Sequence, residues 1–267
     1  MVDGAPSSAL EVNRAAHSPA RSPGERTRAA CHLDPGRVTS WQRPGPWLVG
    51  LVACVAIGAG APAWSQARVA ARYAVTADDL AAGRVALDAL PVRGRAPSTG
   101  YARERFGQAW ADVDRNGCDT RNDILRRDLT DTVVENCAVL SGTLDDPYTG
   151  VPVPFARGPD SAAVQIDHVV ALSHAWQTGA QQWSAVEREA FANDPANLLA
   201  VDGPANQEKG AGDAATWLPP NRGYRCVYAL RQVRVKAAYG LWVTAPERDA
   251  LDRELGRCVV GTTIHRD

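Results

Sequence analysis

Gln165-Ile-Asp-His-Val-Val-Ala-Leu172, then Asn197-Leu-Leu-Ala-Val-Asp-Gly-Pro-Ala-Asn206, with Lys209 one helical turn further on, is the stretch that decides the fold of this chain. Val164 to Leu172 is apolar and rich in β-branched residues, the pattern of a strand. Asn197 to Val201 repeats that pattern. Gly203-Pro204 turns the chain, and Asn206 onward starts a helix. Strand, loop, strand and helix bring a carboxylate, an imidazole and two side-chain amides into one short unit. An Asp-His pair alone is an ordinary structural dipeptide, and Asn197 and Asn206 alone are ordinary turn or cap residues. Their order and spacing together carry the signal.

The chemistry that fits such a unit is phosphodiester hydrolysis. It needs an activated water, neutralisation of charge in the transition state, and help for the leaving oxygen. A carboxylate with a metal ion and a neighbouring histidine base divide those tasks. Past the leader only His168, His174 and His265 remain. His265 lies close to the C-terminus, where chains fray, and His174 opens a helix. His168 alone sits on an apolar strand beside a carboxylate, so it is the expected general base.

These segments, with Gly117-Cys-Asp-Thr-Arg-Asn-Asp-Ile-Leu125 and Asp146-Pro-Tyr-Thr-Gly150, resemble the exported HNH (ββα-metal) endonuclease family proteins of high-GC Gram-positive bacteria. The similarity extends over roughly residues 100–258. Position by position it implies Asp167 as metal ligand and His168 as general base. Asn197 would orient the base or brace the metal loop, and Asn206 would be the second protein ligand where many relatives carry histidine. The implied cofactor is Mg²⁺, with Mn²⁺ or another divalent ion possible, and an Asp-plus-Asn oxygen set independently favours a hard cation. Asparagine is a weaker ligand than histidine, which leaves metal affinity low and metal identity loose. Lys209 could reach a substrate phosphate or be a solvated lysine, and Arg121 is a second candidate for phosphate contact.

A second motif competes. Asp112, Asp114 and Asn116 stand at positions one, three and five of a calcium-loop pattern, with Gly117 at six and Asp123 at twelve. Position twelve lacks the usual bidentate glutamate. The other reading is a rigid polar turn beside the site.

Cysteines and leader point to export. Cys31 and Cys54 precede the domain, leaving Cys118, Cys137, Cys226 and Cys258. Four cysteines permit three pairings, and the local ones, Cys118–Cys137 and Cys226–Cys258, close the shorter loops. A zinc-thiolate site competes weakly, because there is no Cys-x-x-Cys pair. Residues 1–44 read as a disordered leader. Residues 45–67 read as a signal peptide with cleavage near Ala67, as an uncleaved membrane anchor over 45–64, or as a lipoprotein site at Cys54.

Residues 1–67 carry six arginines and four acids; the rest holds 23 basic and 26 acidic side chains, a net of −3. A mildly acidic domain must attract nucleic acid locally. The one candidate patch is Arg222, Arg225, Arg231, Arg234 and Lys236, in a stretch without acids; a solvated helix face is the rival reading.

The remaining pattern predicts a helix capped by Thr76, a helix over Tyr101–Val113 with Phe106 and Trp110 as core, and a short helical piece over Ile124–Leu129. A hairpin follows from Cys137–Leu144 and Val151–Phe155. A helix over Ser173–Ala192 carries a Ser184/Glu187 capping box, and two more cover Tyr224–Tyr239 and the segment after Thr244. The expected fold is α+β, a single domain over 68–267 whose ββα-metal core, residues 164–215, lies among helices and a β-hairpin. The expected activity is endonucleolytic cleavage of nucleic acid, DNA rather than RNA, with low sequence specificity and no stable protein partner. The alternatives are a non-catalytic exported calcium-binding or cell-envelope module built on residues 112–123, and a hydrolase of another phosphoester.

Overall fold

The computed structural model describes residues 72–261. The leader, the apolar export segment and His265 lie outside them. Helix α1 (Ala77–Ala89) starts where Thr76 accepts a hydrogen bond from the Asp79 amide and ends before Pro91. Asp119 caps α2 (Thr120–Asp128) through the Asn122 amide. Three antiparallel strands follow, β1 (Leu129–Glu135), β2 (Ala138–Asp145) and β3 (Pro152–Ala156), in that order across the sheet. The expected hairpin is β2–β3. Strand β1 escaped the sequence pattern because most of its side chains are exposed, so it lacks apolar alternation.

Strand β4 (Val164–His168) pairs antiparallel with β5 (Leu198–Asp202), His168 opposite Leu198 and Val164 opposite Asp202. Between them lie α3 (Leu172–Gln177) and α4 (Ala185–Asn193). The single helix expected over Ser173–Ala192 is therefore two. Gly179, at φ 139°, breaks it, and the Ser184/Glu187 capping box restarts it. Helix α5 (Gly203–Lys209) follows β5 directly. Asp202 is its cap, accepting from the Ala205 amide, so Asn206 lies within the helix. Gly203 is obligatory there: a Cβ would come 2.3 Å from the Ala162 carbonyl oxygen. Helices α6 (Arg225–Ala238) and α7 (Ala245–Leu255) close the fold, the latter capped reciprocally by Thr244 and Glu247.

The helix expected over Tyr101–Val113 is absent. One 3-10 turn, Arg103–Phe106, is followed by an irregular segment with Gly107 at φ 77° and Trp110 at φ 60°. Phe106 is core as expected, but Trp110 is only half-buried.

Strand β5 explains how the site is held. Leu198 and Ala200 pack on one face with Ile124, Leu125, Val164 and Ile166. Leu199 and Val201 pack on the other with Tyr148 and Tyr228. A strand apolar on both faces is fixed in register, because a slip of one residue would exchange two differently shaped cores. Helices α1, α6 and α7 share a further core through Leu87, Leu230, Val233 and Leu251. Both expected disulfides are present, Cys118–Cys137 and Cys226–Cys258. Among the described residues no helix is long and apolar enough to cross a membrane.

Candidate active site

The end of β4, the start of α3 and helix α5 border a cavity of about 550 Å³. Asp167, His168, Asn206, Arg121 and Arg103 all line it. Residues 167, 168 and 206, expected to converge, border this one cavity.

Successive strand residues point to opposite sides, and Asp167 and His168 do so. The Asp167 carboxylate turns inward: Oδ1 accepts from the Lys209 ammonium at 2.9 Å, and Oδ2 accepts from the Tyr148 hydroxyl. Lys209 also donates to the His168 carbonyl oxygen at 2.9 Å, and its side chain has no exposed surface. The reach to a substrate phosphate expected of Lys209 gives way to an ion pair that fixes Asp167. Burial, then the Asp167 charge, raises the Tyr148 pKa well above its ordinary value, which keeps the phenol a donor. Asn221 pins the backbone around Tyr148, its amide nitrogens donating to the Pro147 and Tyr148 carbonyls at 3.0 and 2.8 Å.

His168 turns the other way. Its Nε2 lies 2.8 Å from the Ala192 carbonyl oxygen. A carbonyl only accepts, so Nε2 carries the proton and Nδ1 the lone pair. Burial pushes the ring's pKa down to about 4, with Arg103 and Lys209 adding to the effect and the Ala192 bond opposing it. The imidazole is neutral at pH 7, the state a general base requires. Trp110 lies nearly parallel to it, 17° between planes and 6.3 Å between ring centres.

Asn197 is fully buried and acts through the backbone. Its Oδ1 accepts from the Val170 amide at 2.8 Å and its Nδ2 donates to the Val170 carbonyl at 3.3 Å. It fixes the turn after β4. Asn206 donates from Nδ2 to Gln165 Oε1 at 2.9 Å. That bond assigns its amide, leaving Oδ1 as the acceptor end. Arg121 lies over the Phe155 ring at 5.8 Å and makes no ion pair among the described residues; burial, then repulsion from Arg157, lowers its pKa.

The basic patch expected downstream is spent on structure. Arg231 donates to the Ala196 and Leu198 carbonyls, Arg234 pairs with Asp79, and Arg225 donates to the Pro219 carbonyl. Lys236 is buried, and of the five only Arg222 and Arg234 are exposed. In the 112–123 loop Asp112 accepts from the Asn116 and Gly117 amides, and Asp114 from the Asn116 amide and side chain. The Asn116 side chain in turn accepts from the Cys118 amide. These local bonds order the turn over residues 112–118, and Asp123 lies in the first turn of α2.

A second group of metal-type side chains, unforeseen in the sequence, is His174, Asp213 and Glu247, with ligand atoms within 4.8 Å of one another. The Lys236 ammonium sits among them, 2.7 Å from Glu247 Oε1, 2.9 Å from His174 Nε2 and 3.0 Å from the Trp242 carbonyl. It donates to Glu247 and to the Trp242 carbonyl, and Asp213 is paired with Arg95 at 2.6 Å. Burial opposes the Glu247 charge, but the His174 bond and Lys236 outweigh it and hold the carboxyl below its ordinary pKa. The group is an ion network joining α3, α6 and α7 around a resident lysine. Sequence separation hid it, since its members come from four segments.

Tyr148, which bonds Asp167, and Arg103, which lines the cavity, were not singled out in the sequence, and Trp110, which also lines it, was expected as core. Tyr148 stood inside the quoted Asp146–Gly150 segment, and that was the available signal.

No solved structure matches this chain. A secreted protein of unknown character from the fungus Arthroderma benhamiae is 40% identical over 175 residues, covering 64% of this chain and 82% of the relative. Residues 119–253 match the family described as GmrSD restriction endonucleases, C-terminal domain, and span β4, β5 and α5; Tyr101, Arg103 and Trp110, which also line the cavity, precede the match. The chain belongs to that family of nuclease domains.

Proposed function

We propose that this protein is an exported, metal-dependent HNH-type endonuclease that hydrolyses phosphodiester bonds of nucleic acid, DNA before RNA, with little sequence preference. The observation that carries the reading is the cavity shared by a neutral buried histidine, a carboxylate, an amide oxygen and two arginines. Family membership among nuclease domains supports it. The fungal relative's description as secreted and the two disulfides support export.

The donor set suits a hard divalent cation. A carboxylate offers about four lone-pair positions, and Asp167 uses two, on Lys209 and Tyr148. Asp167 and Asn206 would hold the ion, Mg²⁺ or Mn²⁺, which when bound acts as Lewis acid for the phosphate and the leaving oxygen. The chain's own groups supply the rest. Arg121 and Arg103 neutralise the substrate phosphate. The Ala192 carbonyl holds His168 in the Nε2–H tautomer, so Nδ1 takes the proton from the attacking water. Asn197 keeps the turn behind His168 from shifting.

Incubation of the full chain with supercoiled plasmid and Mg²⁺ tests the proposal. Nicking should appear, vanish with EDTA, and fall roughly 10²–10⁴-fold in His168→Ala. Equal nicking by both proteins removes His168 as base; no nicking by the native protein removes the activity. Mn²⁺ binding measured calorimetrically should weaken in Asn206→Ala, a readout independent of turnover.

A further inference from the structure

A second cavity of about 290 Å³ opens beside the first. The two share Arg103, Trp110, His168 and Leu172. The candidate base and the indole therefore form the partition between a polar chamber and a smaller one walled by Phe106, Leu172 and Ala192. None of the roles assigned above uses this smaller chamber.

Trp110 is held there at a conformational cost. A bulky residue at φ 60° occupies a region that favours glycine. Burial alone would not demand this, since Trp110 remains half-buried. The backbone on either side is clamped. Asn193, almost fully buried, accepts from the Ala111 amide at 3.0 Å and donates to the Gln108 carbonyl at 3.2 Å. Thr120 adds a hydroxyl bond to the Ala111 carbonyl. These bonds hold the indole at the junction of the two cavities, where it lies nearly parallel to the His168 ring. The Arg103 guanidinium stands at the same junction with no ion pair among the described residues.

A flat π-face beside an apolar chamber, next to a cation and a hydrolytic base, fits one component of the proposed substrate. We infer that the smaller chamber receives a nucleobase flanking the scissile phosphate, stacked on Trp110, while Arg103 contacts the adjoining phosphate. This deepens the nuclease reading and rests on it. A base can enter only when it stands out of the helical stack, so the preferred substrate is single-stranded or locally unpaired nucleic acid. Stacking serves every base alike, consistent with low sequence preference.

Equilibrium binding of the full chain in EDTA, without turnover, tests the inference. The probes are a short labelled oligothymidylate and its fully abasic counterpart of equal length. The native protein should bind the abasic strand about tenfold more weakly. Trp110→Ala should abolish that difference and Trp110→Phe should keep most of it. A 2-aminopurine placed in the native protein's strand should be quenched on binding, a result needing no variant. Equal affinity for the two strands, or unquenched 2-aminopurine, overturns the base pocket. Metal-dependent nicking of plasmid together with equal affinity for the base-bearing and abasic strands would overturn the pocket alone; weaker binding of the abasic strand without metal-dependent nicking would overturn the nuclease reading alone.

Discussion

The Lys209 ammonium and the Asp167 carboxylate form a buried ion pair at 2.9 Å, and neither side chain has appreciable contact with solvent. The sequence placed both residues in the site but assigned them to different partners, one to a metal and the other to substrate. The fold makes Lys209 the group that pairs with the carboxylate and aims it.

Removal of one member of a buried pair leaves the other unpaired, which costs about 3–5 kcal/mol. Lys209→Met should therefore lower stability by about that amount in urea denaturation, and Asp167→Asn, which leaves the buried ammonium without its counter-charge, by a similar amount. A Lys209→Met protein as stable as the native one would contradict the pairing.

Asn197 predicts a different signature. Truncation to alanine strands the Val170 amide and carbonyl in a fully buried turn. The expected loss is about 1–3 kcal/mol, together with a fall in nicking that exceeds the loss of folded protein at the assay temperature. Asn197→Asp should retain the acceptor for the Val170 amide and recover part of the stability. Circular dichroism melts beside nicking rates check this.

Acid should weaken the fold before it protonates most carboxylates. Folding lowers the His168 pKa from 6.5 to about 4, chiefly by burial. The unfolded chain then binds a proton that the folded chain refuses, so stability is present above pH 6.5 and is lost as pH falls through that window toward 4. A shift of this size corresponds to roughly 3 kcal/mol. His174 is lowered by burial too and acts in the same direction. His168→Asn should flatten the pH dependence of the melting temperature between those limits; an unchanged slope would contradict the burial argument.

The disulfides should contribute unequally. Cys226–Cys258 spans 32 residues and ties the start of α6 to the chain after α7, whereas Cys118–Cys137 spans 19. Loop-closure entropy gives about 4 kcal/mol for the first and about 3 for the second. Cys226→Ala with Cys258→Ala should lower the melting point more than the paired Cys118 and Cys137 substitutions. The latter should act more strongly on substrate binding, because that bridge anchors the segment after Trp110.

What the sequence by itself determined was local. The two apolar runs around Asp167-His168 and Asn197, the Gly203-Pro204 break, the caps at Thr76, Ser184 and Thr244 and the short-loop cysteine pairs all encode their structure within a few residues, so these strands, caps and bridges could be read directly. Tertiary structure decided where side chains point. Lys209 turned inward because a buried carboxylate needs a counter-charge, and the downstream arginines were drawn to backbone carbonyls and to Asp79. The helix expected through Trp110 gave way because Asn193, distant in sequence, supplies hydrogen bonds that a helix there would leave unmade. Long-range pairings of this kind leave no periodicity in the sequence, and they are what shaped the cavity.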